Sequence, residues 1–177
     1  MTDPDGRVLL NISGTSIRGH TSLRDGNWHH VMLVFDAARD AHLTSANLNI
    51  YVDGETETLT QAPGHPIIAD TDISAPISLG SSASDSSFIG TLAAVKLWEK
   101  ALDPATIWPE LLSSTAIDRN GLALELQLTA NLDDTSGRNH SMNGPSSLTF
   151  AAKHRSYSKK TVFSFLPNPA RAPFYLL

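Results

Sequence analysis

The chain has 177 residues, 41% of them hydrophobic, no cysteine and a formal net charge of −5 at pH 7. That length supports one domain with a sizeable core, or one domain and a tail. The composition excludes disulfides and cysteine-ligated metals; no apolar run approaches the ~18 residues of a membrane span, and residues 1–20 lack the apolar centre of a signal peptide. Charge is unevenly placed. Residues 1–134 hold all 18 acids against 7 bases, a net −11, whereas residues 135–177 hold Arg138, Lys153, Arg155, Lys159, Lys160 and Arg171 with no acid, a net +6. An acidic body with a basic tail predicts two units, 1–133 and 134–177.

In chain order, Arg7–Ile12 (RVLLNI) reads as a strand, followed by a Ser-Gly-Thr turn and a short second run at Thr15–Arg18. Asp25-Gly26-Asn27 is a turn, and Trp28–Phe35 reads as a strand. Trp28, His30, Met32 and Val34 share one of its faces; His29, Val31, Leu33 and Phe35 share the other. Both faces are largely apolar, which predicts a central position in a sheet. Leu48–Val52 alternates as a half-buried strand does, and Asp53-Gly54 supplies the positive-φ chemistry of a hairpin turn. Residues 61–87 are loop-rich around a short strand at Ile77–Gly80, and Phe88–Leu97 is again strand-like. Asp103 before Pro104 caps a short helix near 103–113, which Pro109 is expected to end. Leu122–Leu128 places four leucines on one face, and the tail has β-prone runs at Leu148–Ala151 and Thr161–Leu166. Many short strands, one brief helix and Gly/Pro/Ser turns predict an all-β fold, an antiparallel two-sheet β-sandwich.

Three segments together carry a family resemblance: DGNWHHVMLVFD at Asp25–Asp36, LNIYVDGE at Leu48–Glu55, and the order SFIGTLAAVKLWEKALDPATI, a connection, then LALELQL. Over about residues 6–130 they resemble the laminin-G-like and pentraxin-like branch of the concanavalin A-like jelly rolls. The resemblance implies that Trp28, His29, His30, Tyr51, Asp53 and Gly54 are fold elements, with Trp28 packed between the sheets. It also implies an extracellular or cell-surface setting and recognition of glycan or protein. Domains of this kind begin with strands ahead of the segment equivalent to Arg7–Ile12. The first reading is therefore a domain whose front strands are missing; the second is a permuted domain in which the tail strands close the sandwich; the third is a front supplied by a partner.

Candidate chemistry is sparse. His29 and His30 are adjacent on a strand and point to opposite faces, so they cannot ligate one ion together. Glycoside hydrolysis needs two carboxylates held across the scissile bond. The closely spaced pairs Glu55/Glu57 and Asp70/Asp72 sit in a turn and a loop, and the isolated Glu125 is expected to be a solvated residue of a half-exposed strand. Nucleophile-elbow, P-loop and dinucleotide fingerprints do not occur. Calcium is the one cofactor the loops suggest, through Asp36, Asp40 and Asn47 or through Asp133, Asp134, Ser136 and Asn139; turn formation is the commoner role of such residues. Six bases spread through the tail are too thin for a nucleic-acid groove. Phe163, Phe165, Phe174 and Tyr175 among Pro167, Pro169 and Pro173 suit an extended segment docked on a protein surface. The expected function is a non-catalytic recognition module for glycan or protein within a larger secreted or surface polypeptide. A structural subunit associating through an open sheet edge and the basic tail comes second, and a polysaccharide-cleaving enzyme third.

Overall fold

The computed structural model describes residues 3–12, 15–35, 42–43, 46–62, 67–68, 78–79, 90–144, 148–150, 162–165 and 175–176. The strands are β1 (Arg7–Ile12), β2 (Thr15–Ser22), β3 (Val31–Phe35), β4 (His42–Leu43), β5 (Leu48–Val52), β6 (Glu55–Thr56) and β7 (Thr60–Gln61). Then follow β8 (Ile67–Ile68), β9 (Ser78–Leu79), β10 (Ala94–Trp98), helix α1 (Pro104–Leu112), β11 (Leu122–Leu126), β12 (Val162–Phe165) and β13 (Tyr175–Leu176). Two sheets make the body, ordered β1-β2-β7 and β11-β10-β12-β3-β5-β6. The first is antiparallel throughout, as are the β10–β11, β3–β5 and β5–β6 pairs of the second.

The core between the sheets is apolar. Val8 and Ile17 come from the first sheet; Val31, Leu33, Phe35, Leu48, Ile50, Val52, Val95, Leu97, Leu124 and Leu126 come from the second. The opposite face of the six-stranded sheet is covered as well. Met32, Val34, Trp98 and Leu122 pack there with Leu102, Ile107 of α1 and Ala116. This second layer explains why β3 and β10 are buried along their whole length, as two-sided apolar patterns require.

Helix α1 begins as expected. The Asp103 carboxylate accepts the Ala105 amide at 2.8 Å, and Pro104 stands in the first turn where its missing N–H is no loss. Pro109 does not end the helix, which runs on to Leu112. Its absent bond would have met the carbonyl of Ala105; both residues are exposed, so water can take that carbonyl, while Ile107 and Glu110 anchor the other side.

Three further expectations change. The strand foreseen at Trp28–Phe35 begins only at Val31. The strand at Leu122–Leu128 stops at Leu126, and its leucines do not share one face. A bulge opposite Leu97 and Trp98 pairs Leu97 with Leu124 but Trp98 with Leu122, so one extra residue turns Leu122 to the helix side. Leu148 and Phe150 are exposed and form no strand. The other tail run does: β12 lies inside the second sheet, parallel to both β10 and β3, with Val95, Phe163 and Val31 in one row. The contacts foreseen for the Phe163 and Phe165 side chains lie outside the described residues.

Candidate functional site

The Trp-His-His segment sits at the mouth of β3, beside the β5–β6 turn. Asp53 and Gly54 both have positive φ (54° and 88°), the mirror-image two-residue turn that matches strand twist. The Asp53 carboxylate ties this turn to β3: Oδ1 accepts the His30 amide at 3.0 Å, and the Asp53 amide donates to the His30 carbonyl at 2.8 Å. Its Oδ2 lies 3.0 Å from His29 Nδ1, while Asp25 Oδ1 lies 2.8 Å from His29 Nε2. A carboxylate at each ring nitrogen favours the doubly protonated form of the imidazole. Burial opposes that charge, yet the Asp25 and Asp53 carboxylates outweigh it and raise the His29 pKa. Asp25 is held well below the usual carboxylate range, first by the side chain and amide of Asn27 and then by His29. With a carboxylate engaging each ring nitrogen, His29 clamps the turn to the start of β3.

His30 is the opposite case. It is fully buried, and among the described residues neither ring nitrogen has a hydrogen-bond partner. Burial, and then the nearby Lys96 ammonium, push its pKa down to about 4, so the ring is neutral. Trp28 is half-buried and belongs to neither buried cluster, so it does not fill the space between the sheets. The fully buried tryptophan is Trp98, under α1, with Nε1 donating to the Asp118 carbonyl at 2.6 Å. Tyr51 packs partly buried on the helix side.

Beneath α1 lies a charged network that sequence patterning misses. Lys96, fully buried, donates from Nζ to Glu110 Oε2 (2.6 Å) and to the carbonyls of Ser113 (2.9 Å) and Thr115 (3.2 Å). Glu110 Oε1 accepts the amides of Ile117 and Asp118 at 2.7 and 2.8 Å. Glu125, expected to be solvated, is 1% exposed and accepts from the Ala116 amide, Arg119 and Thr135. The alternation in LALELQL holds from Leu124 to Leu126; the helix and its following loop cover the face that should have met water. One signal was available, a lysine inside the apolar run LAAVKLW. These carboxylates secure the loop from Ser113 to Asn120 and present no pair across a cleft.

Other candidates have structural partners. Glu57 accepts the His20 and Thr21 amides and the Thr21 hydroxyl, clamping β2. Asp134 accepts the amides of Glu125, Ser136 and His140, and Thr135 donates to the Glu125 carbonyl, so this turn lines the outer edge of β11. Asp133 and Asn139 are exposed at the turn's ends, Asn139 with φ 58°. Asp36, Asp40, Asp70 and Asp72 lie outside the described residues. Among the described residues, no group of three His, Asp or Glu could hold a metal ion.

One exposed feature adjoins the clamp. The Trp108 side chain is 51% exposed, and three of its ring carbons stand 3.1, 3.1 and 3.2 Å from where a Cβ on Gly54 would be. Those near-equal distances place Gly54 over the indole face, and any side chain there would lift the ring. One face is thus seated on the turn, and the residue's exposure lies away from it.

Two packed, mostly antiparallel sheets with a helix on the back of the larger make a β-sandwich of the jelly-roll class. The chain belongs to the concanavalin A-like lectin/glucanases superfamily, laminin G type, whose family profile matches residues 2–108. No curated protein and no solved structure matches the chain.

Proposed function

We propose that the chain is a non-catalytic recognition module of a larger secreted or surface polypeptide, and that it binds glycan through the face carrying Trp108. The supporting observation is the indole seated on Gly54 and half open to solvent, beside the polar clamp of Asp25, Asn27, His29 and Asp53. A flat aromatic face stacks on the C–H face of a sugar ring, and neighbouring polar groups serve its hydroxyls. The carboxylates at and beside the turn, Asp25, Asp53 and Glu55, favour a neutral glycan over an anionic one. In this reading the tail completes the sandwich. A protein ligand is the second reading, favoured by the exposure of Leu112 (82%) and Ile117 (56%).

The test is binding of the full chain to an array of neutral and uronate glycans. Neutral glycans should bind, and Trp108→Ala should weaken binding about tenfold, the worth of one aromatic stacking contact. No oligosaccharide should be released from β-glucans or galactans, with wild-type or with Glu125→Gln. Undiminished binding by Trp108→Ala would overturn the assigned face, and release of oligosaccharides lost on Glu125→Gln would overturn the non-catalytic reading.

A further inference from the structure

The face that carries Trp108 is built from two different turns. The indole rests on Gly54 in the β5–β6 turn, and its exposure lies away from that seat. The polar half is the turn Asp25–Asn27, which closes on itself. There the Asn27 amide donates to Asp25 Oδ1 at 2.8 Å, and Asn27 Nδ2 donates to Asp25 Oδ2 at 2.7 Å. His29 engages both halves, with Nε2 2.8 Å from Asp25 Oδ1 and Nδ1 3.0 Å from Asp53 Oδ2. Asp53 directly precedes Gly54, so one imidazole joins the polar half to the seat of the indole.

That junction needs a proton on each ring nitrogen. A neutral imidazole has one N–H and one lone pair, so it donates to one carboxylate and sets its lone pair against the other. Asp53 is the better anchored of the two. Its Oδ1 also accepts the His30 amide at 3.0 Å, its own amide donates to the His30 carbonyl, and its side chain is only 15% exposed. The Asp25 side chain is 46% exposed and can turn to water. Loss of one proton therefore leaves Nδ1–H on Asp53 and frees Asp25. Among the described residues, the charged groups facing the ring are Asp25, from the turn before β3, and Asp53, from the β5–β6 turn; burial opposes the ring's charge and both carboxylates favour it. His30, the next residue, has its pKa pushed down to about 4 by burial and then by Lys96, so it is already neutral where His29 changes charge.

We propose that His29 is a positioning residue for glycan binding, whose proton holds the Asp25–Asn27 turn against the turn that seats Trp108. With the ring charged, a sugar stacked on the indole meets the polar groups of Asp25 and Asn27 already in place, and binding spends little on ordering them. With the ring neutral, the indole keeps its seat and the polar half is released. Affinity for a neutral glycan then falls as pH rises through the His29 titration, down to the level that stacking alone supports. The inference rests on the glycan-binding face proposed above.

The experiment measures binding of the full chain to a neutral β-glucan oligosaccharide and a neutral galactan oligosaccharide from about pH 6 to about pH 9, which spans the ordinary imidazole value and the region above it. Neither glycan titrates there, so any pH dependence belongs to the protein. The glycan that binds should lose about fivefold in affinity toward the alkaline end, the worth of one hydrogen bond. His29→Gln should bind at the weaker level with a flat profile, and Trp108→Ala should keep the pH step at lower affinity. In wild-type without glycan, the nuclear Overhauser contact between the His29 ring and the Asp25 side chain should vanish as the ring titrates, while that between Gly54 and the Trp108 ring persists; this reading is free of any variant's folding. Affinity flat with pH that still requires Trp108 would overturn the inference and leave the assigned face standing. A pH step retained by His29→Gln, or an Asp25 contact that survives the ring's titration, would overturn it too. Binding of neither glycan at any pH would overturn the assigned face and this inference with it.

Discussion

The two faces of the six-stranded sheet solve the same problem differently. The face toward the first sheet is sealed by aliphatic side chains and Phe35. The face beneath α1 mixes Trp98, Leu102 and Ile107 with buried Lys96, Glu110, Glu125 and His30. On the first face, stability follows from area removed from water and from close packing. On the second, the charges also hold a particular loop, from Ser113 to Asn120, against the sheet. Apolar packing tolerates many partners, whereas a buried ion pair accepts one geometry.

The largest effect should come from breaking that pair. Lys96→Met leaves the Glu110 carboxylate buried without its cation, and should destabilise the protein by roughly 3–5 kcal/mol in urea unfolding. Adding Glu110→Gln should cost far less than its effect alone, because the two residues act as a unit. Full additivity would show that the network is a set of independent bonds and would erase the contrast between the faces.

Leu126→Ala, on the apolar face, should cost about 3 kcal/mol through lost burial and a residual cavity. Its effect should add to that of Lys96→Met if the two layers are independent. Strong coupling between them, measured by the same unfolding curves, would mean that the sheet transmits strain from one face to the other.

The smallest and most specific contrast is between His30 and His29. His30 titrates near 4 in the fold and near 6.5 when unfolded, so its neutral form contributes stability above pH 6.5 that is lost as pH falls toward 4, about 3 kcal/mol in all. His29 has a raised pKa, so its contribution is complete below pH 6.5 and is lost as pH rises through the folded value. Unfolding free energies measured from pH 4 to pH 9 should therefore fall on both sides of a maximum. His30→Leu should remove the acid limb alone, and His29→Gln the alkaline limb alone. A single limb abolished by either substitution would show that the two rings titrate as one site.

Much of the scaffold was legible residue by residue. The β5 strand and the Asp53-Gly54 turn, the β1 strand and the Asp103 cap all follow from side-chain alternation, positive φ or a free helical amide, which are properties of a few consecutive residues. The site was legible in part. Asp25, His29 and Asp53 were each singled out or adjacent to a recognised turn, but their convergence on one ring joins positions 24 residues apart. Trp108 carried no local signal at all; only the seat on Gly54 distinguishes it from any helical tryptophan.

Local pattern determines where a strand alternates, where the chain turns and where a helix starts, because those depend on backbone geometry within one or two turns of chain. It does not determine what covers each face. Glu125 and Lys96 stand on strands whose sequences suit exposure or apolar burial, and α1 with its loop placed both in a dry layer with partners. Trp98 rather than Trp28 became the buried indole for the same reason: burial is a property of two surfaces meeting, and the second surface arrives from elsewhere in the chain.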